Sequence, residues 1–538
     1  MTKTQNILFI LIVLLGLFLR TFDLAQNPVG LHGDEASIGY NAYSLLKTGK
    51  DQNGNVLPLA IDQFGDFRPA GYHYLDIPFV AVLGLNALAV RLPAALFGTA
   101  SIIVFFFLIR TLFKHELLAL LASLFLAISP WHITISRATS ESVIAMFFVL
   151  LGTLIWIKGN RPKLLAISAG SFVVSFLFYH AARVFVPIML IPLILYKRVT
   201  KASLVTFVGI VLALLLILKG SQGLGRPTTV SLLNIPGGWY GILAQQVAED
   251  GTQQPIVTRF FHNKLYTLGR AFLTSYFTHY TGEFLFLTNG NPVRYRVPWV
   301  GIANIVDLLL LPVGLAILLA EGLKKKNPAY LLLVAWLAIG GVPAGLTWED
   351  LPNIQRSSFM IPALIAATSL GAWELVNLSK KFRTLAIIGL SVLILHSFLY
   401  FFHMYFHHGK THEPWHRSAS EPEVVFDLAR LAKTSPVVMT TSGNNNLIFH
   451  LFYRKFDPAT FQAKGSPKEA DGLVFENIRL TGNPCPMGDT DGMATGDVGT
   501  VYLSEYKCKI PKNGELLKTI YYPDGSPVFT ITKIKPLP

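Results

Sequence analysis

The chain has 538 residues, 52% of them hydrophobic and only 14% charged, with a formal net charge of +14. Apolar runs of spanning length recur over the first three quarters, which sets it among polytopic membrane proteins. The positive excess follows from membrane topology and is no sign of nucleic-acid binding.

Residues 7–19 form the first apolar run, too long and too poorly followed by a small-residue cleavage site for a removed signal peptide, so a retained helix is expected. Windows of about 17 to 25 apolar residues predict roughly eleven spans, centred near residues 14, 100, 124, 149, 172, 189, 211, 309, 337, 366 and 393. Basic residues fall on alternate loops: Lys3; Arg110 and Lys114; Lys158, Arg161 and Lys163; Lys197, Arg198 and Lys201; Lys324 to Lys326; and Lys380, Lys381 and Arg383. Those loops are expected to be cytoplasmic in a plasma-membrane protein. An odd span count then puts the C-terminal region outside, with a long first loop (22–88), 129–141, 179–183, a second long loop (220–297) and 347–358 on the same outer face. Nearly all non-membrane mass is on that side, so function is expected there.

The first outer loop reads as two surface helices. Residues 34–47 place Ile38, Ala42, Leu45 and Leu46 near helical spacing, with Gly49 as a stop. The turn-rich Lys50-Asp51-Gln52-Asn53-Gly54-Asn55 follows, and 66–74 leads into a second apolar helix. After about residue 405 the pattern changes. A helix over 422–433, strands near 436–440, 472–474, 500–503 and 528–534, and an apolar helix or strand over 447–453 predict a small α/β domain, 406–538, after a transmembrane domain over 1–405. Both cysteines of the chain, Cys485 and Cys508, lie in it. On an oxidising side they suit a disulfide, two separate thiols being the alternative.

Chemistry points to His32-Gly33-Asp34-Glu35-Ala36, an acidic pair just beyond the first span. Chemistry on a lipid-linked substrate is done where its head group sits, at that interface, and group transfer from a lipid phosphate needs a base for the acceptor proton and positive charge for the departing phosphate. Asp34 or Glu35 can supply the first. Arg68, Arg137, Arg183 and Arg356, all expected at outer boundaries, can supply the second, because guanidinium matches phosphate oxygens two-pronged. Plainer readings stand beside these. Asp34 can cap the surface helix with Glu35 favoured by its dipole, and boundary arginines can simply snorkel to head groups. His32 with the two acids can hold a divalent metal. Glu141 is either a second acid or an ordinary helix start. No Asp-x-Asp follows in that loop, which weighs against metal dependence. The histidines 403, 407, 408 and 412 fit a polar membrane exit.

Gly33-Asp34-Glu35-Ala36, Tyr40-Asn41-Ala42, Gly49-Lys50-Asp51-Gln52-Asn53-Gly54, Leu57-Pro58, Arg68-Pro69, Tyr72, Tyr74 and Arg91-Leu92-Pro93 together resemble the first outer loop of the GT-C membrane glycosyltransferases. Within that superfamily they are most similar to bacterial relatives of protein O-mannosyltransferases and aminoarabinose transferases. Ser136-Arg137-Ala138, Tyr179 with Ala182-Arg183-Val184, and Arg356 ahead of Ile361-Pro362-Ala363 extend the resemblance over about residues 1–400. It implies sugar transfer from a polyprenyl-phosphate carrier to a protein, lipid or glycan acceptor on the outer face, with the catalytic aspartate falling on Asp34. The competing class is a transporter or flippase of lipid-linked saccharide. Transporters keep ionisable groups at mid-membrane, whereas here Asp307 is the one clear intramembrane acid and the outer loops carry the charge.

Overall fold

The computed structural model describes residues 1–63, 65–159, 161–197, 199–220, 229–251, 255–378, 381–441, 446–467, 471–494 and 496–536. Arg198 and Lys380 of the basic loops, and parts of the second long loop, lie outside these.

Ten helices make the first half: α1 (Lys3–Thr21), α2 (Gly33–Thr48), α3 (Gly71–Leu83), α4 (Ala87–Phe113), α5 (Glu116–Ala127), α6 (Pro130–Ser136), α7 (Glu141–Lys158), α8 (Pro162–Phe178), α9 (His180–Lys197) and α10 (Lys201–Gly220). Further apolar helices follow over Asp307–Leu319, Pro328–Gly340, Ile361–Asn377 and Arg383–Phe406. All eleven expected span centres fall within helices, but eight helices among the described residues are by themselves long and apolar enough to cross a membrane. Three centres fall short for visible reasons. α8 has 17 residues, and Asp307–Leu319 has 13 before a π turn takes over. α5 and α6 form one broken element bent by 55°. At that break Ser129 caps α6 and Pro130 opens it, while buried Arg20 of α1 donates to the freed carbonyls of Leu126 and Ala127, satisfying helix-end acceptors that lipid would leave bare.

Small residues set the closest helix contacts. A Cβ on Gly314 would lie 1.8 Å from the Ala367 carbonyl oxygen, and one on Gly371 2.0 Å from that of Leu310, so Asp307–Leu319 and Ile361–Asn377 pack backbone to backbone. Asp307 stands at the start of its helix, where Oδ2 accepts the Asn304 N–H at 3.0 Å.

The helical pair expected in the first loop is present as α2 and α3. Residues 66–69, expected as lead-in, form β2 (Asp66–Pro69), paired antiparallel with β1 (Ala60–Gln63). The C-terminal region holds a six-stranded sheet, ordered β4 (Val474–Phe475), β5 (Ile478–Thr481), β3 (Val437–Thr440), β6 (Val501–Glu505), β8 (Pro527–Ile534) and β7 (Gly514–Tyr521), with β3 parallel to both neighbours and the other pairs antiparallel. Cys485 and Cys508 are joined in a disulfide. This region seats on α2: Tyr40 donates to the Phe456 carbonyl, and the Gln462 amide reaches Ser44, Thr48 and the Asp51 carbonyl. Gly39 is required there, since a Cβ would come within 2.7 Å of the Phe452 ring.

Candidate active site

The site is built on the first turn of α2. His32, not Asp34, is the cap: its Nδ1 accepts the Asp34 N–H at 3.1 Å, and Glu35 Oε2 accepts the His32 N–H at 3.2 Å. This closes a capping box with an imidazole in the usual hydroxyl's place. The role requires a neutral ring. Burial first, and the Arg294 charge second, lower its pKa to about 4.

Capping is thus done without the Asp34 side chain, which is 25% exposed and faces a cluster of cations. Its Oδ2 accepts from Arg294 Nη2 at 2.8 Å and from Arg68 Nη2 at 3.0 Å. Arg68 also bonds Asp66 through Nε at 2.9 Å and lies 3.7 Å from Glu141 Oε1. Burial alone would disfavour the Arg68 charge, but Asp34, Glu141 and Asp66 together raise its pKa well above the ordinary value. One guanidinium therefore stands between Asp34 and Glu141, where an ion shared by those acids would have to sit. Among the described residues no three His, Cys, Asp or Glu side chains are arranged to hold a metal ion.

Glu35 points the other way. Both its oxygens pair with Arg91 at 3.0 Å, and Oε1 also takes the Thr139 N–H and hydroxyl. Burial opposes its charge, but the Arg91 charge and these donors outweigh it and lower the pKa to about 2. Arg91 spends its remaining donors on the carbonyls of Leu24, Pro28 and Gly30. The pair ties the segment before α2 to α4 and to the 139–140 turn.

The four arginines expected at the phosphate separate into two kinds. Arg137 is fully buried, with its fork on the carbonyls of Leu19, Phe22 and Asn27 and its plane over the rings of Tyr405 and Phe406. It holds the end of α1. Arg68 is engaged with carboxylates. Arg183 and Arg356 line open space: Arg183 donates through Nε to the Phe176 carbonyl, and Arg356 bonds Thr347 Oγ1, the Glu349 carbonyl and Glu349 Oε2. Asn353 Oδ1 fixes the Arg356 backbone, and His279 Nε2 in turn accepts the Asn353 N–H at 2.8 Å.

Two neighbouring spaces share part of their lining. A small polar pocket is bounded by Arg68, Glu141, Arg294, Arg356, Tyr179 and His180. A cavity of about 360 Å³ shares Tyr179, His180 and Arg356 with it, adds Arg183, and is otherwise walled largely by Ala181, Val184, Leu218, Val230, Pro343 and Leu346. The arrangement has a carboxylate at one end, guanidinium groups in the middle and an apolar slot at the other end.

The reading of the sequence did not single out Arg294, Tyr295 or Gln355. Arg294 sits on a short turn, Val293–Tyr295, in the second long loop. That turn is fixed by Asn291, which exchanges backbone hydrogen bonds with Pro352 and Ile354, and by the Gln355 amide reaching Tyr295 Oη and Ser140 Oγ. The local signal was an Asn-Pro turn followed by two arginines around a tyrosine.

Residues 10–176 match the family model described as dolichyl-phosphate-mannose-protein mannosyltransferase. That stretch holds Asp34, Glu35, Arg68, Arg137 and Glu141; Arg183, Arg294 and Arg356 lie beyond it. Over 122 residues the chain is 30% identical to YkcB of Bacillus subtilis, described as a putative mannosyltransferase; the match spans 21% of this chain and 17% of that protein. Among solved structures, ArnT from Cupriavidus metallidurans superposes with a TM-score of 0.52 at 12% identity, covering 98% of this chain and 97% of its own. The oligosaccharyltransferase of Archaeoglobus fulgidus gives 0.50 at 12% identity, covering 83% of this chain and 61% of its own. The chain has the GT-C fold, that of the membrane glycosyltransferase superfamily.

Proposed function

We propose that this protein transfers a sugar from a polyprenyl-phosphate donor to a nucleophilic acceptor at the outer face of the plasma membrane, with Asp34 as general base. The observation that carries the reading is the lining the two spaces share, Tyr179, His180 and Arg356. A lipid phosphate placed against Arg183 and Arg356 has an apolar slot for its tail on one side and, on the other, a polar pocket walled by Glu141 and by Arg68 and Arg294, the two arginines that hold Asp34. The matching family description names a dolichyl-phosphate sugar, a donor of this class.

In the step, the acceptor oxygen or nitrogen attacks the anomeric carbon and gives its proton to Asp34. The bond from that carbon to the phosphate oxygen breaks, and the polyprenyl phosphate leaves with the electron pair. A single displacement of this kind inverts the anomeric centre. Arg183 and Arg356 stabilise the departing charge. Arg68 and Arg294 hold and aim Asp34 through its Oδ2, and its exposed edge lets the proton pass on to water. Glu141, across Arg68 from Asp34, lines the pocket with Asp350 and is the second acid of the site. Glu35 supports Asp34 indirectly, by fixing the turn on which it stands.

The test is reconstitution of the purified protein in nanodiscs with polyprenyl-phosphate hexoses and protein, lipid and glycan acceptors, read by mass spectrometry. The expected result is acceptor heavier by one sugar and release of polyprenyl phosphate. Binding of the lipid donor followed only by its movement between leaflets would instead support a flippase.

A further inference from the structure

The second long loop holds a surface that the transfer chemistry does not use. Helices over Pro255–Phe261 and Lys264–Thr278 expose Ile256 (75%), Phe260 (75%), Leu265 (83%) and Phe277 (59%), together with Phe261 and Leu273. On the longer helix Tyr266, Arg270, Leu273 and Phe277 recur at helical spacing along one stripe. So many large apolar side chains facing outward on adjacent short helices call for a partner.

We infer that this pair of helices lies in the outer-leaflet interface and binds anionic lipid head groups. Charge identifies the occupant. From residue 255 to 282 there is no Asp or Glu, while Arg259, Lys264 and Arg270 are all present and exposed. Basic side chains interspersed with Phe and Leu are the composition of an interfacial helix, whose cations reach the head groups while the rings enter the acyl boundary. Position agrees. The longer helix and the turn that follows it are held to the Pro328–Gly345 span and the residues just after it: Tyr276 Oη donates to the Ala338 carbonyl, Tyr280 Oη to that of Leu337, and Ser275 Oγ to those of Ala344 and Thr347. Leu346 and Thr347 also line the 360 Å³ cavity. The helix that carries the stripe therefore packs, through Ser275, beside the wall of the apolar slot, and its lipids are bulk membrane anions distinct from the donor.

The native cysteines are joined to each other, so Phe260→Cys, Leu265→Cys, Leu273→Cys and Phe277→Cys variants of the full chain can each carry one nitroxide label in nanodiscs. Collisions with oxygen are expected to exceed those with a water-soluble nickel chelate at all four sites, and the reverse at Glu249→Cys. Nickel-dominated relaxation at the four sites would overturn the inference, as would spin–spin broadening removed by unlabelled protein, which would mean a second copy covers the stripe. For the charge, the triple variant Arg259→Gln, Lys264→Gln, Arg270→Gln should lose retained phosphatidylglycerol relative to phosphatidylcholine in native mass spectrometry, by about fivefold per charge removed. An unchanged ratio would overturn the anionic preference. Neither measurement involves donor or acceptor, so its failure is distinguishable from failure of the transfer reading.

Discussion

Arg294 Nη2 donates to Asp34 Oδ2 at 2.8 Å across 260 positions of sequence. This contact brings the second long loop onto the first turn of α2 and gives Asp34 a second cation beside Arg68.

Asp34→Asn keeps the size of the side chain and leaves the His32 cap intact. The variant should fold, bind donor, and lose about a hundredfold or more in turnover. Near-normal turnover with the correct donor and acceptor would remove Asp34 from the mechanism.

Breaking the Glu35–Arg91 pair has a different signature. Glu35→Gln leaves a buried guanidinium without its counter-charge, which should cost about 3 to 5 kcal/mol of stability. Thermal unfolding in detergent would register it, and Arg91→Met together with Glu35→Gln should recover part of the loss. Wild-type stability with reduced turnover would place Glu35 in the chemistry instead.

Arg183→Gln and Arg356→Gln should each weaken donor binding by about 1.5 to 3 kcal/mol, roughly 10- to 150-fold in affinity. Arg137→Gln should instead lower the melting temperature while leaving the donor affinity of the folded fraction unchanged. Titration of polyprenyl phosphate against the three variants separates these outcomes; loss of affinity confined to Arg137→Gln would reverse the assignment.

His32 gives a pH dependence of defined sign. Its folded pKa, about 4, lies below the ordinary 6.5, so as pH falls the unfolded chain takes the proton first. The stability that the neutral ring contributes is complete above about pH 6.5 and drains away towards pH 4. His32→Asn retains an acceptor for the cap and cannot titrate, so its melting temperature should fall less steeply over that window. Parallel curves for the two proteins would refute the assignment.

Reporter fusions after Lys163 and Lys326 should report the cytoplasm, and one at the C-terminus the outside. A cytoplasmic C-terminal reporter would show that the span count is wrong.

The spanning helices were legible because a bilayer demands long apolar runs, which need no tertiary context. Helix α2, its Gly49 stop and the pairing of Cys485 with Cys508 were legible for similarly local reasons. The break between α5 and α6 was not, because it depends on Arg20, more than a hundred residues away. Strand β5 escaped notice because it is short, and β7 because it is an edge strand with nearly all its residues exposed or half-buried, so it shows no apolar alternation. The opposed directions of Asp34 and Glu35 were equally hidden: adjacent residues on a helix point about 100° apart, and which cation waits on each side is set by distant segments.

The C-terminal region grips α2 from behind through Phe452, Phe456 and Gln462, and its first turn, Pro414–Arg417, touches the Val293–Tyr295 turn that carries Arg294. It therefore acts as a clamp on two jaws, one bearing the carboxylate and the other its cation. An engineer who exchanges this region for that of a relative, hoping to import a new acceptor, would also reset the spacing of those jaws; a working hybrid will have to carry the back of α2 and the 291–296 turn along with the graft.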